Sequence, residues 1–191
     1  MNVDKNRAIS IAQEKLKLLP VYLDTETTGL DRNAEILEIC IVNHDDQVLY
    51  QSLVKPTSSI PSDVTRIHGI TNAMVKDAPN WLRVWPEAQD LLLGKHVGVY
   101  NAEFDMRMIQ QTNARYGLAT GTSAFSNFFC IMKLFAQYYG DWDRARGSYR
   151  WQSLDFAGKH CGIPISNSHR AIDDTRLARA VLHFIANYRS I

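Results

Sequence analysis

Two carboxylates, Asp24 and Glu26, stand two residues apart at the end of the short apolar run Val21 to Asp24. In a strand, residues i and i+2 point to the same face. Two acids so placed repel each other at low dielectric and become tolerable when a divalent cation sits between them. A third acid, Asp105, closes the stretch Tyr100-Asn101-Ala102-Glu103-Phe104-Asp105 and falls in the first turn of a helix that follows a compact apolar strand. The stretch Ser168-His169-Arg170-Ala171-Ile172-Asp173-Asp174 then places His169 just before the last helix and two acids in its first turn. Periodicity does not decide which of Asp173 and Asp174 faces inward. Taken singly, each of these is also an ordinary acid of a turn or a helix start. Taken together, they supply acidic ligands from three points of the chain and one histidine. Hard oxygen donors suit Mg²⁺ or Mn²⁺ rather than a structural zinc ion. Two such ions about 4 Å apart can clamp the attacking and leaving oxygens of a phosphodiester, and a histidine can take the proton of the attacking water.

The elements that must carry these groups alternate in type. Arg7 to Leu19 has a helical apolar stripe, broken by Pro20, and reads as a leader helix over residues 1–19 ahead of a single domain over 20–191. Val21 to Asp24 reads as a strand ending at the glycine turn Thr25-Glu26-Thr27-Thr28-Gly29. Glu35 to Asn43 and Gln47 to Val54 are further strands, joined through His44-Asp45-Asp46 in an antiparallel meander. Pro56 to Pro61 is a polar loop. Trp81 to Leu93 is helical, with Pro86 tolerable only near a start or a kink. His96 to Tyr100 is a strand, and Ala102 to Tyr116 is a helix that turns Phe104, Met108, Ile109 and Thr112 to a core. Phe128 to Tyr139 contains another helix, Asp141 to Arg150 reads as an exposed loop, and Ser153 to Cys161 is a short helix. Asp173 to Tyr188 is the final helix, with Leu177, Val181, Leu182 and Ile185 on its apolar face. Strands first, then alternating helices and strands, imply a mixed sheet with helices on its faces.

Composition fits one globular domain. Of 191 residues, 46% are hydrophobic and 21% charged, which excludes disorder over most of the length. A net charge of +1 gives no global field, though local patches still bind nucleic acid. Cys40, Cys130 and Cys161 lie far apart, with neither disulfide nor zinc spacing, and read as free thiols of a reducing cytoplasm. No signal-peptide core and no membrane-spanning run is expected.

Asp-Thr-Glu-Thr-Thr-Gly, Ile-His-Gly-Ile, Asn-Ala-Glu-Phe-Asp and His-Arg-Ala-Ile-Asp-Asp closely resemble, in order, the motifs of the DEDDh (DnaQ-like) 3′–5′ exonuclease superfamily. The nearest flavour is the exonuclease domain of the epsilon proofreading subunit of bacterial DNA polymerase III. The resemblance spans roughly Val21 to Tyr188. It implies an α/β, ribonuclease H-like fold, a five-stranded mixed sheet flanked by helices. Carried over by motif, Asp24, Glu26, Asp105 and Asp174 would ligate two Mg²⁺ or Mn²⁺ ions, and His169 would be the general base. The spacing from His169 picks Asp174 over Asp173. Thr27, Gly29 and Leu30 would line a pocket for the 3′-nucleotide, Ile67 and His68 would touch its base or sugar, and Asn101 and Phe104 would frame the site. The implied activity removes 5′-mononucleotides from the 3′ end of DNA, preferring single-stranded or frayed ends. An exoribonuclease trimming RNA 3′ ends is the alternative of the same superfamily, and a silent polymerase accessory module is the alternative of another class. The sequence ends soon after its last helix, so epsilon's polymerase-binding tail has no expected counterpart, while a polymerase or other partner in trans is open. Arg144, Arg146 and Arg150, with Tyr149 and Trp151, form a basic and aromatic stretch suited either to single strands or to a plain solvated loop.

Overall fold

The computed structural model describes residues 3–119 and 125–188 of the chain. A five-stranded sheet is built from β1 (Val21–Thr27), β2 (Ile36–Val42), β3 (Val48–Leu53), β4 (Val97–Val99) and β5 (Phe128–Cys130), in the order β3-β2-β1-β4-β5. β1, β2 and β3 pair antiparallel, whereas β4 and β5 run parallel to β1. The expected five-stranded mixed sheet flanked by helices is therefore what the chain forms.

Alternation along β1 decides what each face receives. Tyr22 enters a core shared with α1 (Val3–Lys17), α6 (Ile131–Tyr139), α7 (Leu154–His160) and α8 (Ala171–Ala186). Val21 and Leu23 enter the opposite core, with α4 (Trp81–Leu92) and α5 (Ala102–Arg115). Leu37 packs with Ile60, Ile70 and Val75, residues that flank or end two short helices, α2 (Ser62–His68) and α3 (Asn72–Val75). By the same period of two, Asp24 and Glu26 share Tyr22's face, toward α8. Gly98 of β4 lets that face close: a Cβ there would come within 3.0 Å of the Tyr22 ring and 2.9 Å of Phe129.

α8 is the element that brings the last motif to the sheet. Leu177, Val181, Leu182 and Ile185 are all buried, as its apolar spacing requires. Burying such a side chain contributes about 1.5–3 kcal/mol each, so Leu182→Ala would cost about 2–5 kcal/mol and loosen the site with the core. The leader helix α1 packs against α6 and α8 rather than standing apart. Gln13 donates to the Ala186 carbonyl, and the Lys5 ammonium lies over the Tyr138 and Tyr188 rings.

Three expectations need correction, and a fourth gains a detail. β1 does not stop at Asp24 but runs through Thr27, because Thr25 to Thr27 stay paired to β2 across a bulge between Glu26 and Thr27. The segment beginning at Phe128 does contain its expected helix, α6, but opens with strand β5, which runs straight into it. Asp141 to Arg150 is not a loop but a hairpin, β6 (Trp142–Asp143) and β7 (Ser148–Tyr149). Pro86 sits inside the second turn of a continuous α4. The carbonyl that Pro86 cannot donate to in the helical ladder belongs to Leu82, an exposed residue.

Candidate active site

The strand that starts as Val21-Tyr22-Leu23 delivers Asp24 and Glu26 to the α8 face, both half-buried. The first turn of α8 delivers Asp174 to the same place. One carboxylate oxygen from each of the three lies within 4.8 Å of the others. Asp105 reaches the sheet from the other side, on the first turn of α5, and is 2% exposed. It accepts a 2.8 Å hydrogen bond from Thr25 Oγ1, the β1 residue that points away from Asp24 and toward α5. Its charge is still felt by both Asp24 and Glu26. Asp173 is turned aside: its carboxylate accepts from Ser168 Oγ at 2.6 Å.

Electrostatics follow from this crowding. Burial, then the charges of Asp105, Glu26 and Asp174, push the Asp24 carboxyl well above the usual carboxylate range. Burial, then Asp174 and Glu38, push Glu26 up to about 8. Burial pushes Asp105 to about 7, against the Thr25 hydrogen bond. Burial also pushes Asp174 to about 7, opposed by the backbone amides of Ser168 and His169. One Asp174 oxygen, Oδ1, is buried without a hydrogen-bond partner among the described residues. A buried orphan acceptor is costly, and unpaired carboxylates in one place demand either protons or a cation. The donor set is all hard oxygen, so the residues present fit a divalent hard cation.

The remaining expected residues surround this group. His169 is exposed, immediately ahead of α8, with a left-handed φ of 53°. Histidine is among the few residues that enter that region with some frequency. Asn101, half-buried, is also left-handed (φ 71°) and starts α5. Thr27 Oγ1 donates to the Gly29 carbonyl at 2.7 Å, which folds the turn back on the strand end. Leu30 is 76% exposed, and its carbonyl accepts from Arg107, whose guanidinium lies 5.3 Å from the centre of the half-buried Phe104 ring. Ile67 is exposed, whereas its neighbour His68 is buried, Nδ1 accepting from the Ile70 amide at 2.9 Å.

Sequence reasoning missed Glu38. It lies directly opposite Glu26 in the β1–β2 register and is 1% exposed. Arg170 clasps it with two hydrogen bonds of 3.0 and 2.8 Å, and the Ala171 amide adds a third at 3.1 Å. Burial pushes the Glu38 carboxyl up, but the Arg170 and Ala171 hydrogen bonds win and hold it below the usual range. This pair ties β2 to the residues that carry His169 and Asp174. The available signal was a lone acid inside the apolar run Ile-Leu-Glu-Ile-Cys-Ile-Val, which must be paired if buried. Glu35, also buried, was equally unmarked; it accepts from the Thr57 amide and hydroxyl and fixes the Pro56 to Pro61 loop.

A mixed sheet with this carboxylate group defines a nuclease architecture. Residues 21–182 match the family model of the RNase T-type exonucleases, described simply as "Exonuclease". The chain belongs to this exonuclease family. It is 39% identical over 170 residues to an exonuclease of Escherichia phage 186, covering 87% of each chain. It is 27% identical over 168 residues to the PolC-type DNA polymerase III of Clostridium perfringens, covering 86% of this chain but 11% of the polymerase. Among solved structures it resembles exonuclease X in complex with 5′-overhanging duplex DNA, at 28% identity and a TM-score of 0.63, covering 87% of this chain and 90% of that one.

Proposed function

We propose that this chain is a 3′→5′ exonuclease that hydrolyses the terminal phosphodiester of DNA, releases 5′-mononucleotides and prefers single-stranded or frayed ends. The observation that carries the reading is the group of Asp24, Glu26 and Asp174, with an unpartnered buried oxygen and too little positive charge to balance it. Asp24, Glu26 and Asp174 would hold Mg²⁺ or Mn²⁺, with Asp105 adjacent, at two ions per site. Bound there, the ions would supply Lewis-acid stabilisation of the oxygens that enter and leave phosphorus. The chain's own residues do the rest. His169, exposed on the loop whose amides brace Asp174, accepts a proton from the attacking water. Leu30 and Ile67 present apolar surface to the terminal base, Thr27 and Gly29 shape the turn beside its sugar, and Asn101 and Phe104 frame the opposite side. Buried His68 holds the turn that follows Ile67 by accepting from the Ile70 amide. DNA is favoured over RNA by the likeness to exonuclease X, 28% identical, which is described with 5′-overhanging duplex DNA.

No helix among the described residues is long and apolar enough to cross a membrane. Free thiols at Cys40, Cys130 and Cys161 support a reducing compartment, the cytoplasm.

The test is digestion of end-labelled linear and circular single strands, as DNA and as RNA, with Mg²⁺ or Mn²⁺. Linear DNA should lose mononucleotides from its 3′ end while the circle survives. Rapid cutting of the circle would establish an endonuclease, and faster digestion of RNA would move the substrate to RNA 3′ ends.

A further inference from the structure

The β6–β7 hairpin carries a surface that the catalytic group does not use. Trp142 pairs with Tyr149, the rings meeting edge-on at 4.9 Å, and Asp143 pairs with Ser148. Asp143 closes the turn by accepting from the amides of Ala145 and Arg146. The Tyr149 hydroxyl donates to Asp4 of α1 at 2.6 Å, so the hairpin is anchored on the body of the domain. What it exposes is unusual for so short an element. Trp142 is 50% and Trp151 61% exposed, and the side chains of Arg146 and Arg150 are 81% and 59% exposed. Those two arginines share the single Asp143 carboxylate at 3.7 and 3.5 Å, while Arg144 has no ion pair among the described residues. Arg146, Arg150, Tyr149 and Trp151 border an open recess of about 670 Å³.

The hairpin is joined to the site. The Tyr100 hydroxyl donates to the carbonyls of Gln152 at 3.0 Å and Ser153 at 3.2 Å, immediately after Trp151. Tyr100 follows β4, and continuing the β1–β4 register (Val21 with Val97, Tyr22 with Gly98) sets it level with Asp24. It also precedes Asn101, the start of the helix that carries Asp105.

We propose that this hairpin is a holding surface for the single strand upstream of the terminal nucleotide, with Trp151 and Trp142 as stacking faces and Arg144, Arg146 and Arg150 as phosphate contacts. Flat exposed aromatics need unstacked bases, which a duplex does not offer, and the excess of cations over acids at the hairpin matches a polyanion. The inference rests on the nuclease reading and names what that site would hold beyond its last nucleotide.

The experiment compares native protein with Trp151→Ala and with the double variant Arg146→Ala/Arg150→Ala. Binding of a fluorescent single-stranded DNA of about 16 nucleotides is measured without metal, and hydrolysis of that strand and of a dinucleotide is measured with Mn²⁺. Melting curves confirm folding, which the exposure of all three side chains favours. Trp151→Ala should weaken binding of the long strand about 5- to 100-fold, the range of one lost stacking contact. The double variant should lower the slope of log affinity against log salt by about 1.4, two phosphate contacts at about 0.7 each. The dinucleotide, too short to reach the hairpin, should be hydrolysed with the native KM. Long-strand affinity within twofold of native in both variants would overturn the proposal, as would equal losses on long and short substrates. If the native protein cut neither substrate yet lost strand binding in the variants, the nuclease reading would fall and the hairpin assignment would stand.

Discussion

Glu26 and Glu38 face each other across one rung of the β1–β2 ladder, and the same residue type meets opposite fates there. Glu38 is clasped by Arg170 and by the Ala171 amide, and its carboxyl is held below the usual range despite its burial. Glu26 has Asp24 and Asp174 for neighbours, and its carboxyl rises to about 8. Arg170 lowers it, but that cation is already committed to Glu38. A carboxylate with its own arginine is a tie between elements. A carboxylate left among other carboxylates is a site waiting for a counter-charge. The comparison teaches that function in this fold lies in the acids that are left without partners, and it can be broken residue by residue.

The largest expected effect comes from the unpaired side. Asp24→Asn should lower exonuclease activity by about 10³-fold or more, the scale of removing a principal electrostatic contact to the reacting group. The melting temperature of the metal-free protein should hold or rise, because a repelling charge is gone. Assays of rate and melting on the same preparation check both halves, and near-native rates would remove Asp24 from the site.

Next comes His169. His169→Ala should slow hydrolysis by about 10²–10⁴-fold, the range for a positioned base, with Mn²⁺ binding intact. Rates at saturating Mn²⁺ and the Mn²⁺ affinity of the same preparation check the two halves, and an unchanged rate would leave His169 as a residue at the start of α8 and nothing more.

On the paired side the effect should appear in stability first. Glu38→Gln leaves Arg170 without its carboxylate. Breaking a buried pair costs about 3–5 kcal/mol, and the 34% exposure of the Arg170 side chain reduces this to about 2–3 kcal/mol. Activity should fall by only about 10- to 100-fold, as for residues that orient metal ligands. Denaturant unfolding and steady-state rates separate the two. A Glu38→Gln protein as stable as native would show that the clasp is not a tie.

The smallest effect is a pH response of opposite sign on the two sides. Glu26, Asp105 and Asp174 have folded-state values raised to about 8, 7 and 7. Their contribution is full below the ordinary carboxylate range and is lost as pH climbs toward 8. Glu38, lowered, contributes above that range and loses its contribution as pH falls. Metal-free protein should therefore melt at a lower temperature at pH 8 than at pH 5, and saturating Mg²⁺ should cancel the decline by binding the ionised, folded form. A flat metal-free profile over that window would mean that these three carboxyls are not held in the buried, unpaired state described.

Much of this was legible in the sequence, for reasons that can be named. The spacing of Asp24 and Glu26 fixes a shared face in any strand, and the apolar stripe of α8 fixes which side of the helix meets the sheet, so their meeting with Asp174 follows from two periodicities. The choice of Asp174 over Asp173 needed the motif, since adjacent residues at a helix start are not resolved by a period of 3.6. The structure adds that Asp173 is engaged by Ser168. Glu38 and Arg170 are separated by 132 residues, and nothing local announces a pair so distant. Strand β5 was illegible because its three residues run straight into α6 within one apolar stretch, and the β6–β7 hairpin because two-residue strands carry no period. The position of Asp105 across β1, bonded to Thr25 rather than within the three-acid group, depends on the packing of α5 and could not be read from its place in a first turn.

The account's central claim is that the unpaired acids hold a divalent cation while the paired one does not. Calorimetric titration of demetallated protein with Mn²⁺ at neutral pH, native beside Asp24→Asn and Glu26→Gln, tests it directly. The native protein should bind with proton release, and each variant should bind at least about 100-fold more weakly. Variants that titrate as the native protein does, or a native protein that takes up no Mn²⁺, would contradict it.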